Sequence, residues 1–221
     1  SAKNHVHSVN NPLAQYRVPY TVDAVLAAAP IVFPLTLPMC SPISDGAAAA
    51  VICNAAGLRK LGAARDRSIR ILASVLQTSS ERSPYDYDRH VTRLAATRAY
   101  ATAGVDPADV DVAEGHDATA MGEIIEIEAL GLVPPGEGGL AAERGDTVIG
   151  GRIPVNTSGG LECKGHPIGA TGLGQIYELV AQLRGEANGR QVDGARIAVA
   201  QNGGGVLGVE EAVVAVTILG R

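Results

Sequence analysis

The sequence predicts an α/β protein with a mixed sheet and helices on both of its faces. Short apolar runs of strand length alternate with segments of helical period. Three glycine- or histidine-bearing loops, "GHDATAMGE", "KGHPIGATG" and "QNGGG", stand where strands end or helices begin. The core must be aliphatic: 46% of the 221 residues are hydrophobic but only 3% aromatic, with one Phe and no Trp.

The start, "SAKNHVHSVNNP", is polar, lacks an initiator Met and reads as the inside of something longer. Thr21 caps a short helix over residues 21–29, which Pro30 ends. "AAAAVICN", after Asp45-Gly46, is apolar on both faces and reads as a buried strand. A small helix over 57–61 follows, then a strand in "SIRILASVLQ" with one partly solvated face. A helix over about 88–103 places Val91, Leu94, Ala95, Ala99 and Thr102 on one side. His90 falls on it, away from the three loops.

"GVDPADVDVAEGHD" reads as a Pro-started turn, a strand over 110–113 and a loop ending in His116 and Asp117. A helix over 119–130 buries Met121, Ile124, Ile125 and Ala129. Asp117 is its candidate N-cap and Glu123 a solvated charge. "PPGEGGLAAERGD" is loop. The glycine-rich run opens a helix carrying Leu173, Ile176, Tyr177, Val180 and Leu183, expected to be largely buried. "RIAVAQNGGG" is a strand entering a glycine turn, and "EAVVAVTIL" a last strand.

Composition narrows the function. The net charge is −5 and the basic residues are scattered, which argues against a nucleic-acid partner. Cys40, Cys53 and Cys163 show no CxxC spacing, so neither a zinc ribbon nor a disulfide framework is expected, no metal is expected, and a cytoplasmic setting follows. No run reaches the ~18 apolar residues of a membrane span. There is no GxSxG and no Walker loop. Each loop alone has an ordinary reading: His166 bracing a turn, "GATG" packing helix on sheet, "NGGG" a hairpin. Together, two histidines and a glycine segment with backbone N–H groups suit a site for a carbonyl, since such donors stabilise an oxyanion and imidazole moves protons near neutral pH.

"NTSGGLECKGHPIGATGLGQIYELVAQLRG" resembles the signature of the thiolase superfamily, most closely the sterol-carrier-protein-2-type and lipid-transfer thiolases. "GHDATAMGE", "SAKNHVHSVNNPLAQY", "PLTLPMCSPISDGAAAAVICN" and "QNGGG" resemble further family stretches in family order. The resemblance implies a layered α/β fold of two similar halves. Residues 1–62 would be the end of a loop region and the last part of the first half, and 63–221 the second half. It implies acyl-CoA acyltransferase chemistry, cleaving or forming a carbon–carbon bond of a CoA thioester, with no further cofactor. His166 would activate a thiol and bind the thioester oxygen, and His116 would position a water or donate to the same oxygen. Gly203 would offer a backbone N–H, and Gly165, Pro167 and Asn202 would line the substrate.

The sequence departs from that pattern twice. The nucleophilic Cys belongs to an earlier stretch than these residues cover: Cys53 reads as inert core, Cys40 as structural, and Cys163 lies three residues before His166. Where relatives place a second catalytic Cys, this chain has Gln201 or Ala118, which cannot shuttle a proton as Cys does. The nucleophile is then expected from another segment or subunit. Alternatives are an aldolase on a CoA thioester with a base such as Tyr16, or a non-catalytic scaffold. A homo- or hetero-oligomer is expected, with a zinc-ribbon/OB-fold accessory protein as the partner the resemblance suggests.

Overall fold

The computed structural model describes the backbone of residues 1–221 and the side chains of all of them except residues 63 and 64. A four-stranded sheet is its centre, in the order β3 (Arg70–Thr78), β6 (Val213–Gly220), β5 (Ile197–Gly204), β4 (Val112–Glu114). β6 runs antiparallel to both neighbours and β4 parallel to β5, so the sheet is mixed. Side chains alternate along it. Val199, Val214, Val216 and Ile218 join one cluster, with Val91, Ala95 and Ala99 of α4 (Val91–Ala103). Ala198, Ala200 and Leu219 join the other, with Leu179 and Leu183 of α8 (Thr171–Arg184). The expected helices therefore lie on both faces, and the aliphatic core is divided between them.

The polar first residues are folded into the molecule. They form α1 (Ala2–Ser8), with Asn4, His5, His7 and Ser8 buried. Several of its polar groups meet partners far along the chain, as where Nδ1 of His7 lies 3.0 Å from the Asn156 carbonyl and Asn4 Nδ2 donates to Asp117 at 3.0 Å. Thr21 does cap α2 (Val22–Leu26), accepting from the Ala24 N–H at 3.2 Å. A short hairpin, β1 (Pro30–Val32) with β2 (Leu35–Thr36), follows.

"AAAAVICN" is not a buried strand. It is extended but unpaired, with Val51 95% and Ile52 75% exposed, and Cys53 is exposed rather than inert core. Among the described residues no strand runs beside it to take its backbone hydrogen bonds. α3 (Ala55–Lys60) begins directly after it, capped by Asn54.

The apolar pattern misjudged three helix faces. Thr102 is exposed, and Thr92, Ala96 and Tyr100 share the buried side of α4 instead. In α5 (Ala120–Ala129) Met121 and Ile125 are exposed, while Glu123, Glu126 and Ile127 are buried. In α8 Leu173 and Tyr177 are exposed, while Gln175, Glu178 and Gln182 are buried, so that helix is only half covered. Thr92, Glu123, Gln175, Glu178 and Gln182 have specific partners that hydrophobic period cannot reveal, while the Tyr100 hydroxyl and Glu126 Oε2 are buried with no partner among the described residues. The loop expected after Pro135 contains a helix, α6 (Gly138–Glu143).

His90 is not a bystander. It is 4% exposed and caps α4, its Nδ1 accepting from the Thr92 N–H at 3.2 Å. Glu210 anchors the same helix start. Its carboxylate accepts from Ser79 Oγ at 3.1 Å, Ser80 N at 2.7 Å, Arg82 Nε at 2.7 Å and Val91 N at 3.0 Å. Burial pushes its pKa up, but the donors from Ser80, Val91 and Arg82 outweigh that and bring it to about 2. The value lies below that of an unfolded Glu, near 4.3, so the stabilisation is full above pH ~5 and is lost as pH falls towards 2. Glu210→Gln is expected to lower neutral-pH stability by about 3 kcal/mol and to flatten the acid limb of urea midpoint against pH.

Candidate active site

His116 and His166 reach one place from two loops. His116 follows β4, and its backbone N–H donates to Gln201 Oε1 at 3.0 Å, tying the loop to β5. Gln201 is itself fully buried, and its amide nitrogen donates to Thr92 Oγ1 at 3.1 Å. That side chain braces the fold and has no access to substrate. His166 follows α7 (Gly160–Lys164). Its backbone N–H donates to Ser44 Oγ at 3.1 Å, and Ser44 donates to Gln15 Oε1 at 2.6 Å. Gly165 must be glycine here: its φ is +105°, and a Cβ would sit 2.5 Å from Ser44 Oγ. Pro167 packs beside Gly46, and its carbonyl accepts the Ala170 and Thr171 N–H groups that start α8.

The two imidazoles meet edge to face, with centroids 4.8 Å apart and planes at 89°. Nδ1 of His166 lies 2.7 Å from Thr171 Oγ1. That oxygen also lies 3.1 Å from the Pro167 carbonyl; a hydroxyl donating there accepts from a protonated Nδ1 and leaves Nε2 of His166 bare. Nδ1 of His116 lies 3.1 Å from the Asn202 side-chain nitrogen. Among the described residues no protein group hydrogen-bonds either Nε2.

Both rings are shifted towards the neutral form. Burial, then the charges of His166 and Lys164, lower His116 to about 4; burial, then Lys164, lowers His166. The Lys164 side-chain nitrogen is buried without a hydrogen-bond partner among the described residues, and its charge acts on both histidines as well as on the buried Glu114. It favours negative charge developing there. Nothing in the sequence singled it out.

Asp117 is not the cap of α5, which is Thr119, accepting from the Gly122 N–H at 3.3 Å. Asp117 is fully buried beneath the site and accepts from the Leu161 N–H at 2.7 Å and Asn4 Nδ2 at 3.0 Å. Glu123 is not solvated either. It pairs with Lys3 at 2.5 Å and accepts from Asn4 and Asn156, locking α1 against α5.

The expected backbone donor Gly203 lies inside β5, opposite Val214, because the strand continues to Gly204 and the turn comes after it. Cys163 is fully buried, and burial followed by the charges of Glu162 and Asp117 pushes its thiol far up. Burial and then Glu162 also raise Cys40. A thiolate nucleophile needs the opposite shift. Tyr16 lies along α7, its N–H donating to the Cys163 carbonyl at 2.9 Å, and the residue is 43% exposed. Among the described residues no helix is long and apolar enough to cross a membrane.

Comparisons with known proteins agree with this architecture. The model of a family described as thiolase C-terminal domain-like matches residues 73–221. Sterol carrier protein 2 of Oryctolagus cuniculus is 44% identical over 209 residues, covering 90% of this chain and 38% of that protein. The acetyl-CoA acetyltransferase of Methanothermobacter thermautotrophicus is 45% identical over 213 residues, covering 94% of this chain and 54% of that protein. Benzoylsuccinyl-CoA thiolase subunit BbsB of Thauera aromatica is 36% identical over 195 residues, covering 87% and 50%. The solved structure titled "Ltp2-ChsH2(DUF35) aldolase" superposes with a TM-score of 0.79 at 23% identity, over all of this chain and 56% of that one, and shows the fold alone. The chain thus spans between about four-tenths and half of the curated relatives just described.

Proposed function

The chain belongs to the thiolase C-terminal domain-like family, and from that premise we propose that the His116–His166 cleft acts on the thioester carbonyl of an acyl-CoA, in thiolase-type cleavage or condensation of a carbon–carbon bond. One observation carries the reading. Two neutral imidazoles meet at 4.8 Å beside a buried ammonium, each with a free Nε2. The bare Nε2 of His166 takes a proton from the attacking thiol. Nε2–H of His116 donates to the thioester oxygen as it becomes an oxyanion, and the Lys164 charge stabilises it at longer range.

On this reading the nucleophilic Cys comes from outside these residues: the thiols of Cys40 and Cys163 are pushed up, and exposed Cys53 makes no hydrogen bond to the histidine loops among the described residues. Residues 1–62 are on this reading the end of a loop region and the last part of a first half, which a preceding segment or separate subunit completes. Partners in an oligomer, including an accessory protein of the zinc-ribbon type, belong to the same proposal. Cleavage of a 3-hydroxyacyl-CoA as an aldolase is the second reading. It is favoured by Ala118 and buried Gln201 standing where a second Cys would shuttle protons, and it needs no acyl-Cys.

The test supplies the chain, alone and co-produced with the product of the adjacent coding sequence, with acetoacetyl-CoA plus CoA and separately with a 3-hydroxyacyl-CoA. Acetyl-CoA from the first supports the thiolase reading; acetyl-CoA plus an aldehyde or ketone from the second supports the aldolase. Turnover of neither by either preparation overturns both.

A pH dependence follows. His166 works unprotonated, and its pKa is held below 6.5. The acid limb of turnover is therefore expected to lie at lower pH than that of a free imidazole. Lys164→Met removes a cation from beside the ring, so the acid limb of kcat/KM is expected to move to higher pH.

A further inference from the structure

A chain of three amides decides what His116 can do. It starts at Gln175, fully buried on α8. The Gln175 side-chain nitrogen lies 2.9 Å from the backbone carbonyl of Gln201, a group that only accepts. This contact fixes which end of the amide is nitrogen, and its oxygen then faces the side chain of Asn202 at 3.1 Å. An amide oxygen also only accepts, so Asn202 must present its NH2 group. The same NH2 lies 3.1 Å from Nδ1 of His116. A donor facing Nδ1 requires that nitrogen to be bare, so the hydrogen of the neutral ring is on Nε2. Backbone polarity at Gln201 is thus relayed through two side chains to the ring. At His166 the Thr171 hydroxyl imposes the reverse tautomer.

We propose that Gln175 is a positioning residue which, through Asn202, holds His116 in its Nε2–H tautomer, making His116 a hydrogen-bond donor only and leaving the base role to His166. The catalytic half of this statement rests on the thioester reading of the cleft; the tautomer half does not. The opposite tautomer would set Nδ1–H against the Asn202 NH2 in a largely dry site. Losing one buried hydrogen bond biases the tautomer ratio by roughly 10- to 100-fold. Burial and the Lys164 charge support the assignment by keeping the ring neutral, so that tautomer and not protonation is the variable.

Long-range proton–nitrogen NMR on the full chain, labelled with 15N-histidine, reads which ring nitrogen carries hydrogen. The wild type should show bare Nδ1 at His116 and bare Nε2 at His166. Gln175→Leu should give a tautomer mixture at His116 alone, with kcat down ~10-fold and KM little changed. Gln175→Glu should restore the wild-type pattern, because a buried carboxylic acid can donate to the Gln201 carbonyl and accept from Asn202. Asn202→Asp presents an oxygen to Nδ1 and should convert His116 to Nδ1–H. Bare Nε2 at His116 in the wild type, or no change in Gln175→Leu, overturns the proposal. If Gln175→Leu does not fold by circular dichroism, Asn202→Asp decides, and an unchanged Nε2–H there overturns it. Tautomers as expected with no thioester turned over would leave the relay standing and remove the thioester reading instead.

Discussion

Replacing His166 by Ala is expected to lower turnover of a susceptible acyl-CoA by ~100-fold or more in the completed enzyme, the scale of losing a general base or an oxyanion donor. The ring is held at both ends, by Thr171 at Nδ1 and through the backbone by Ser44, so its Nε2 is aimed before substrate arrives. The neighbouring His116 carries its hydrogen on Nε2 on the reading above and does not replace it as a base. Alanine removes the base and opens a gap that bulk water fills without orientation. His116→Ala is expected to cost less, because a water held by Asn202 can supply one of the lost donors. His90→Ala is the informative comparison: it removes a helix cap, worth about 1 kcal/mol, with no effect on kcat. Unchanged turnover of every acyl-CoA tested in His166→Ala would discard the thioester reading and favour a scaffold.

Arg190→Met is expected to destabilise the fold by about 3–5 kcal/mol, the range for breaking a buried ion pair from one side. The Arg190 and Glu178 side chains are 6% and 2% exposed and 2.7 Å apart, with a second contact from Nε at 3.2 Å. Nη1 of Arg190 also donates to the Asn10 carbonyl at 2.9 Å, so the same side chain fastens the segment after α1 to the second half of the chain. Methionine keeps much of the volume but leaves the Glu178 carboxylate buried without a counter-charge. That loss is a large part of the ~5–15 kcal/mol typical of a domain. Urea unfolding at neutral pH measures it. Glu178→Leu added to Arg190→Met should recover most of the loss, since replacing both partners of a buried pair is often near neutral. A loss under about 1 kcal/mol in the single variant would mean that water reaches the pair.

What the sequence determined by itself was the local chemistry. Alternating apolar runs placed the strands at 70–78, 197–204 and 213–220 to within a few residues, because period and chain direction suffice for that. Glycine before a helix, with His166 among them, marked the loop that leads to the cleft, because only glycine fits the backbone there. The family resemblance could be read in the same residues. Tertiary structure alone decided which polar groups go inside. Glu123, Gln175, Glu178, Gln182 and Gln201 all look solvated in sequence, yet all are buried, because partners up to 120 positions away satisfy them. "AAAAVICN" looks buried and is exposed, because an apolar strand needs a neighbour to accept its hydrogen bonds, and none stands beside it among the described residues. The opposite tautomers of His116 and His166 belong to the same class. A sequence names two histidines, but which nitrogen of each carries the hydrogen depends on a backbone carbonyl at Gln201 and another at Pro167, and only the fold brings those groups to the rings.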